Sequence, residues 1–434
     1  MSALFFNMTK NNLTECSYCV RSSSNSLKAI LLVSVLALTG AVFIMAEDSD
    51  DTDAYSKKWG NLTWDLQDGS VFVMAGEGPM DEPVGFIDYY TWHNDYYYNC
   101  VQTVVIEEGI TSIGADAFEY FPYLTTIQLP ASLETIGSNA FRGTPITELT
   151  FPDGSKLVSI ESNAFKDCTS LKTFELPDSL TKIGNSAFEG CTNLIGPLDL
   201  PDSISSIGAR AFKGCSKLQG GIVSDHPIDL TFSSEAFQGC SSLTTLNIPA
   251  EFFAIGSNVF NGCTSLTGSI DITGSCLGIG EGAFKDCSGL SITLDFTGHS
   301  WIPPYVHTSA FAGCTGLTSV NIYGGTVDEK AFAGCTGLKQ VTFGDEFSKF
   351  DPSAFEGVQF FDENGDEIVV TEQTKTKLYG IVFEGSAGKL YYLEKTDEDV
   401  PDKDSGINVW MIATPVAFII GLLAGVLILK VRRP

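Results

Sequence analysis

Ile160-Glu161-Ser162-Asn163-Ala164-Phe165-Lys166-Asp167-Cys168-Thr169-Ser170-Leu171-Lys172-Thr173-Phe174-Glu175-Leu176-Pro177 is one copy of a unit that recurs along the middle of the chain. Its fixed point is Ala-Phe. Aligned on that dipeptide, the Phe series runs Phe118, Phe141, Phe165, Phe188, Phe212, Phe237, Phe260, Phe284, Phe311, Phe332 and Phe355, at intervals of 21 to 27 residues. Ala precedes the Phe in ten of eleven copies, with Val259 in the other. Five positions before each Phe stands an apolar residue: Ile113, Ile136, Ile160, Ile183, Ile207, Phe232, Ile255, Ile279, Val306, Val327 or Phe350. Leu stands six positions after it in nine copies, from Leu124 to Leu338. Three offsets kept in register over eleven copies identify a solenoid.

A period of about 24 residues carrying L-x-x-h-x-h, with h apolar, is the leucine-rich repeat signature. Leu171-Lys172-Thr173-Phe174-Glu175-Leu176 shows it, and Phe174, Glu175 and Leu176 alternate with strand period. Pro130, Pro152, Pro177, Pro201 and Pro249 follow these strands, where a missing N–H ends the ladder. Two residues after the Phe comes Gly in eight copies and Asp in two, which suits a left-handed corner. One turn cannot bury its apolar face alone, so the stacked turns share one core and count as one domain. The expected fold is α/β leaning β-rich: a right-handed solenoid of eleven turns with a parallel β-sheet, plus capping segments.

The repeat Ile-Gly-x-x-Ala-Phe-x-Gly-Cys-x-x-Leu resembles the BspA-like leucine-rich repeat family of microbial cell-surface proteins. Asn61-Leu62-Thr63-Trp64-Asp65-Leu66, Gly76-Glu77-Gly78-Pro79-Met80 and Val104-Val105-Ile106-Glu107-Glu108-Gly109 are similar to that family's N-terminal cap. Phe361-Asp362-Glu363-Asn364-Gly365, Phe383-Glu384-Gly385 and Gly388-Lys389-Leu390 resemble a C-terminal capping segment. The resemblance covers residues 59–395 and implies a surface-displayed, non-catalytic binding or adhesion protein. It transfers no ligand. Caps are also expected physically, because an open solenoid end exposes apolar core and unpaired strand edges.

Outside the array, two apolar runs set the topology. Ala29 to Ala46 carries no charge over 18 residues, with Lys10, Arg21 and Lys28 before it and Glu47-Asp48-Ser49-Asp50-Asp51 after it. Val409 to Leu429 is bordered by Trp410 and followed by Lys430-Val431-Arg432-Arg433. Basic flanks stay cytoplasmic, so both ends face inward and the repeats face outward. The first run is either a cleaved signal peptide or a retained signal-anchor. The expected order is: 1–46, cytoplasmic n-region and signal segment; 47–109, linker and N-terminal cap; 110–357, repeat array; 358–395, C-terminal cap. After these come 396–408, a polar stalk; 409–429, a transmembrane helix; and 430–434, a cytoplasmic tail too short for a signalling domain.

The formal net charge is −28, from 25 Lys+Arg and 53 Asp+Glu, which opposes binding to a phosphate backbone and excludes nucleic acid as a partner. Four His (His93, His226, His299, His307) starve metal and general-base chemistry. No G-x-S-x-G, HExxH, Walker or dinucleotide fingerprint occurs. No enzyme, cofactor or metal site is expected. Asp362 to Glu367 fails as an EF-hand loop, since Gly falls fourth and Gln373 twelfth. Cys16-Ser17-Tyr18-Cys19 lacks the second ligand pair that zinc requires. Eight Cys (Cys168, Cys191, Cys215, Cys240, Cys263, Cys287, Cys314, Cys335) follow the repeat Phe by three residues. Stacking aligns them about 4.8 Å apart where a disulfide prefers Cβ atoms about 3.8 Å apart, so packed free thiols are expected. The resemblance likewise implies a packing role.

Two surfaces are candidates for binding. One residue per strand, between two inward positions, points outward: Gln128, Thr150, Glu175, Asp199, Val223, Asn247, Asp271, Asp295, Asn321 and Thr342. It reads either as a solvated sheet surface or as a negative stripe suited to a basic protein, or to calcium bridging an acidic glycan. The other is the aromatic run Tyr89, Tyr90, Trp92, Tyr96, Tyr97 and Tyr98, which either covers the first turn or anchors a sugar or protein. Asn61 is the outward glycosylation sequon; Asn7 and Asn12 fall in sequons on the cytoplasmic side. The partners expected are an extracellular protein or glycan, with self-association as a structural envelope component the alternative. A receptor relying on a separate signalling partner ranks behind both.

Overall fold

The Ala-Phe segment divides its backbone donors between two destinations. In the third turn the N–H groups of Asn163, Phe165 and Asp167 donate to Asn185, Ala187 and Glu189 of the next turn, at 2.7–2.9 Å. Those of Ala164, Lys166 and Cys168 donate within the turn, three residues back. Every second donor therefore leaves the turn, and an α-helix, which needs all of them, cannot form. The left-handed backbone sets this alternation. The residue two after the Phe has positive φ in all eleven copies, as the Gly and Asp there suggest. The residue two before it is also left-handed in ten copies, and is often Asn, Ser or Asp (Asn163 φ 58°, Ser186 φ 55°). Glycine occupies this second corner in one copy alone, at Gly282.

The computed structural model describes residues 58–59, 61–80, 98–223, 232–247, 255–267, 278–290, 293–295, 305–386 and 388–394. The described residues up to Leu393 belong to one compact unit. Both apolar runs, Cys16-Ser17-Tyr18-Cys19, the stalk and the tail lie outside the described residues.

Phe N–H to the next turn's carbonyl recurs without a gap from Phe118→Ala140 to Phe332→Ala354, at 2.7–2.9 Å. The rings follow the backbone. All eleven are stacked in one column, with centroids 4.9–5.7 Å apart and interplanar angles of 18° or less. Ten are at most 0% exposed and Phe355 is 4% exposed. Each such aromatic contact contributes about 0.5–1.5 kcal/mol beyond burial.

Two parallel ladders flank this column. The first joins the apolar residues five before each Phe, one to the next, from Ile113↔Ile136 to Val327↔Phe350. The second carries the L-x-x-h-x-h strands and is broken into pieces: Val104↔Ile127, Leu149↔Phe174, Leu198↔Ile222↔Leu246 and Leu294↔Val320↔Val341. A register shift at Gly220/Gly221 marks one irregularity. The chain is thus a β-solenoid with parallel sheets, and the helical content that an α/β class suggests is nearly absent. Among the described residues the complete helical element is the 3-10 turn Lys375–Leu378.

Both ends of the column are closed by aromatic rings. The antiparallel pair Leu62–Gln67 and Val71–Gly76 lies ahead of the strand Thr103–Ile106, with Phe72 opposite Val104. Phe72 meets Phe118 edge-on and stacks on Trp64. At the other end Phe343 and Phe360 meet Phe355 edge-on, and Phe383 packs edge-on against Phe360. There the strand Val382–Ser386 runs antiparallel to Gln340–Phe350, so the parallel stacking stops.

Phe212→Ala should remove a fully buried ring stacked on both sides and cost roughly 3–5 kcal/mol. Circular dichroism melts should show neighbouring turns lost together with it, because coupling is between nearest neighbours.

Candidate binding faces and the comparisons

The outward row of the second sheet is only partly a surface. Gln128, Thr150, Glu175 and Asp199 are exposed. Asp199 lies beside Val223, and Val223 beside Asn247. Val223 and Asn321 are half-buried. Thr342 departs from expectation: it is 8% exposed, because it pairs with Val382 of the capping strand. Asp295 pairs with Asn321 through its backbone, and Asp271 lies outside the described residues. The first four members therefore form the open part of the row. Thr126, Glu148 and Thr173 are exposed in the same strands. The carboxylates of Glu148, Glu175 and Asp199 give this face its negative character.

Of the aromatic run only Tyr98 is described. It is half-buried and packs edge-on against Phe121 of the first turn. Tyr89, Tyr90, Trp92, Tyr96 and Tyr97 lie outside the described residues. Asn61 of the outward sequon is exposed.

The cysteine column carries no accessible chemistry. The eight repeat cysteines are free thiols and buried, and Cys100 is buried as well. Each of the eight repeat thiols donates to the carbonyl of the preceding turn's Phe, at 3.1–3.3 Å. That carbonyl also accepts the backbone N–H three residues on, as in Cys191 to Phe188. The thiol supplies a second donor where an alanine would supply none. Burial pushes the Cys168, Cys240 and Cys335 thiols up to about 12, and raises the other five repeat thiols well above the ordinary value. A thiolate is the reactive form, so these groups are inert while the fold holds.

Charged side chains, in contrast, link turns on the surface, a feature that reading single repeats does not reveal. Arg142 pairs with Glu119, Lys166 with Glu189, and Lys182 with Glu161. Arg210 and Lys213 both reach Glu235, and their hydrogen bonds hold its carboxyl down to about 2. Opposite charges on neighbouring turns at the position after the Phe (Glu119 with Arg142, Lys166 with Glu189) signal two of these pairs in the sequence. The acidic loop Asp362–Asp366 closes on itself: Asp362 Oδ1 accepts the N–H groups of Asn364 and Asp366. Among the described residues no group of three or more His, Cys, Asp or Glu could hold a metal ion.

Stacked turns, a parallel ladder through every copy and an open strand face define a leucine-rich repeat solenoid. The chain belongs to the family described as "BspA type Leucine rich repeat region", which matches it in six copies over residues 91–219 and 230–361. No curated protein matches the sequence. Among solved structures, it is similar to a leucine-rich repeat protein from Bacteroides ovatus, with 21% identity, a TM-score of 0.44, and coverage of 71% of this chain and 94% of that one. A leucine-rich repeat protein from T. pallidum is 25% identical at a TM-score of 0.35, covering 48% and 88%. A leucine-rich cell surface protein from Faecalibacterium prausnitzii is 19% identical at 0.31, covering 67% and 93%.

Two outcomes follow from these side chains. The eight repeat thiols should resist a thiol reagent at pH 8 in the native protein and all react in denaturant, as counted by mass spectrometry. Glu235 has a lowered folded value, so its stabilisation is present above its ordinary value of 4.5 and fades as pH falls towards 2. Glu235→Gln should therefore lower stability by about 1 kcal/mol or less at pH 7, and the gap from wild type should close between pH 4.5 and 2 in acid melts.

Proposed function

We propose that the protein is a membrane-anchored cell-surface recognition module, non-catalytic, whose open strand face takes an extracellular protein partner with a basic surface. The observation that carries this reading is the exposed row Gln128, Thr150, Glu175 and Asp199, with Glu148 beside it, on a rigid parallel scaffold. Fixed carboxylates on a stiff lattice steer a basic partner and set its register with little ordering cost. Membership of the family supports a role in binding rather than catalysis. The anchoring part of the proposal rests on the apolar run 409–429 and its Lys430-Val431-Arg432-Arg433 border.

The self-associating alternative predicts contacts between copies of an acidic face, which repel each other, so a foreign partner is the better reading. Glu175→Gln combined with Asp199→Asn should leave the melting temperature within about 2 °C of wild type, since exposed charges contribute little. The same double variant should weaken capture of a basic extracellular protein from a panel of immobilised matrix proteins, and abolish the salt dependence of that capture. Unchanged capture would remove the strand face as the site. Deleting residues 409–434 should release the protein from membranes if the first apolar run is cleaved; N-terminal sequencing of the mature protein reads which form exists.

A further inference from the structure

The corner two residues after the repeat Phe is Gly or Asp in ten turns, and in the first turn it is Tyr120. Tyr120 adopts φ 60° there, a left-handed backbone that a bulky side chain disfavours. Its ring is not hidden in return: the residue is 44% exposed. It lies over the second turn, with the Arg142 guanidinium carbon 5.3 Å from the ring centroid. A Cβ on Gly143 would come within 2.4 Å of the ring, so the ring rests on bare backbone that only glycine provides. Arg142 is itself held by Glu119 at 3.3 Å. Three residues on, Tyr123 is 51% exposed, and Pro122 between them is exposed as well. Phe121, in their midst, is buried edge-on against Phe118 of the column and fixes the segment that carries them. The first corner thus offers exposed rings on a rigid base, beside a guanidinium and a carboxylate able to bond hydroxyl groups.

We propose that Tyr120, with Arg142 over its ring and Glu119 paired to Arg142, forms together with Tyr123 three residues on a binding site for a neutral pyranose of an extracellular glycan. The apolar C–H face of a sugar ring stacks on an aromatic face, while its hydroxyls take the polar neighbours. A net charge of −28 disfavours acidic glycans, which leaves an uncharged sugar as the ligand class. The site is separate from the strand face and survives if the role proposed for that face fails.

Tyr120→Gly restores the residue used by eight other turns, which makes it a discriminating substitution. The full chain would be titrated calorimetrically with cellohexaose, mannohexaose and maltohexaose, and with oligogalacturonate as the acidic control. The expected result is binding of at least one neutral hexasaccharide. In Tyr120→Gly that affinity should fall about tenfold or more with the melting temperature equal to or above wild type, and Tyr120→Phe should retain it. Tyr123→Ala should weaken the same sugar, whereas Glu175→Gln with Asp199→Asn should not. Absence of binding to all three neutral sugars, or equal binding of oligogalacturonate, would overturn the proposal. So would a fall in melting temperature with unchanged affinity, which would make Tyr120 a packing residue.

Discussion

One backbone bond sets the geometry on which the molecule depends: Phe N–H of each turn donating to the carbonyl before the next turn's Phe, at 2.7–2.9 Å through ten consecutive steps. Its length fixes the distance between turns. That spacing brings the phenylalanine rings to near-parallel contact and aligns the apolar residues five positions earlier into a ladder. Two left-handed corners in each turn make the bond available by turning alternate N–H groups outward. A helical convex side would consume those donors internally, and the column of rings would lose the backbone that aligns it.

Close stacking creates a burden, because the repeat Phe residues, backbone included, are taken out of water. The fold meets it with short polar side chains repeated in register. Thiols serve the Phe carbonyls, and Ser179 and Ser203 bridge pairs of carbonyls in preceding turns. Thr144, which occupies the cysteine position in the second turn, donates instead to the Phe141 carbonyl of its own turn. Each Phe carbonyl already accepts one backbone N–H, so the thiol occupies its second acceptor position. Repeat cysteines are then hydrogen-bond donors of small volume, with neither disulfide nor nucleophilic work to perform.

A scaffold this regular leaves function to its exceptions. Identical turns present identical surfaces, so recognition has to come from positions where one turn differs from its neighbours. The open row from Gln128 to Asp199 varies freely in side chain because its members face solvent. Tyr120 interrupts a corner column that is otherwise Gly or Asp. Neither feature touches the ring column, and both can change without disturbing the stacking.

From the sequence alone, period and offset were enough to set the solenoid, the buried Phe series, the ladder of Ile113 to Phe350 and the left-handed corner after each Phe. These are legible because each is repeated, and repetition turns a weak local preference into a strong signal. The second left-handed corner escaped notice because Asn163, Ser186, Arg210 and Glu235 share no residue type. The burial of Thr342 could not be read either: its own strand pattern points it outward, and only the return of Val382–Ser386, some forty residues later, covers it. The pairing of Arg210 and Lys213 with Glu235, and the seating of Tyr120 on Gly143, are likewise contacts between different turns. Local pattern determines which residues go inside; which surface residues meet is decided by how one turn lies on the next, and that belongs to the tertiary structure.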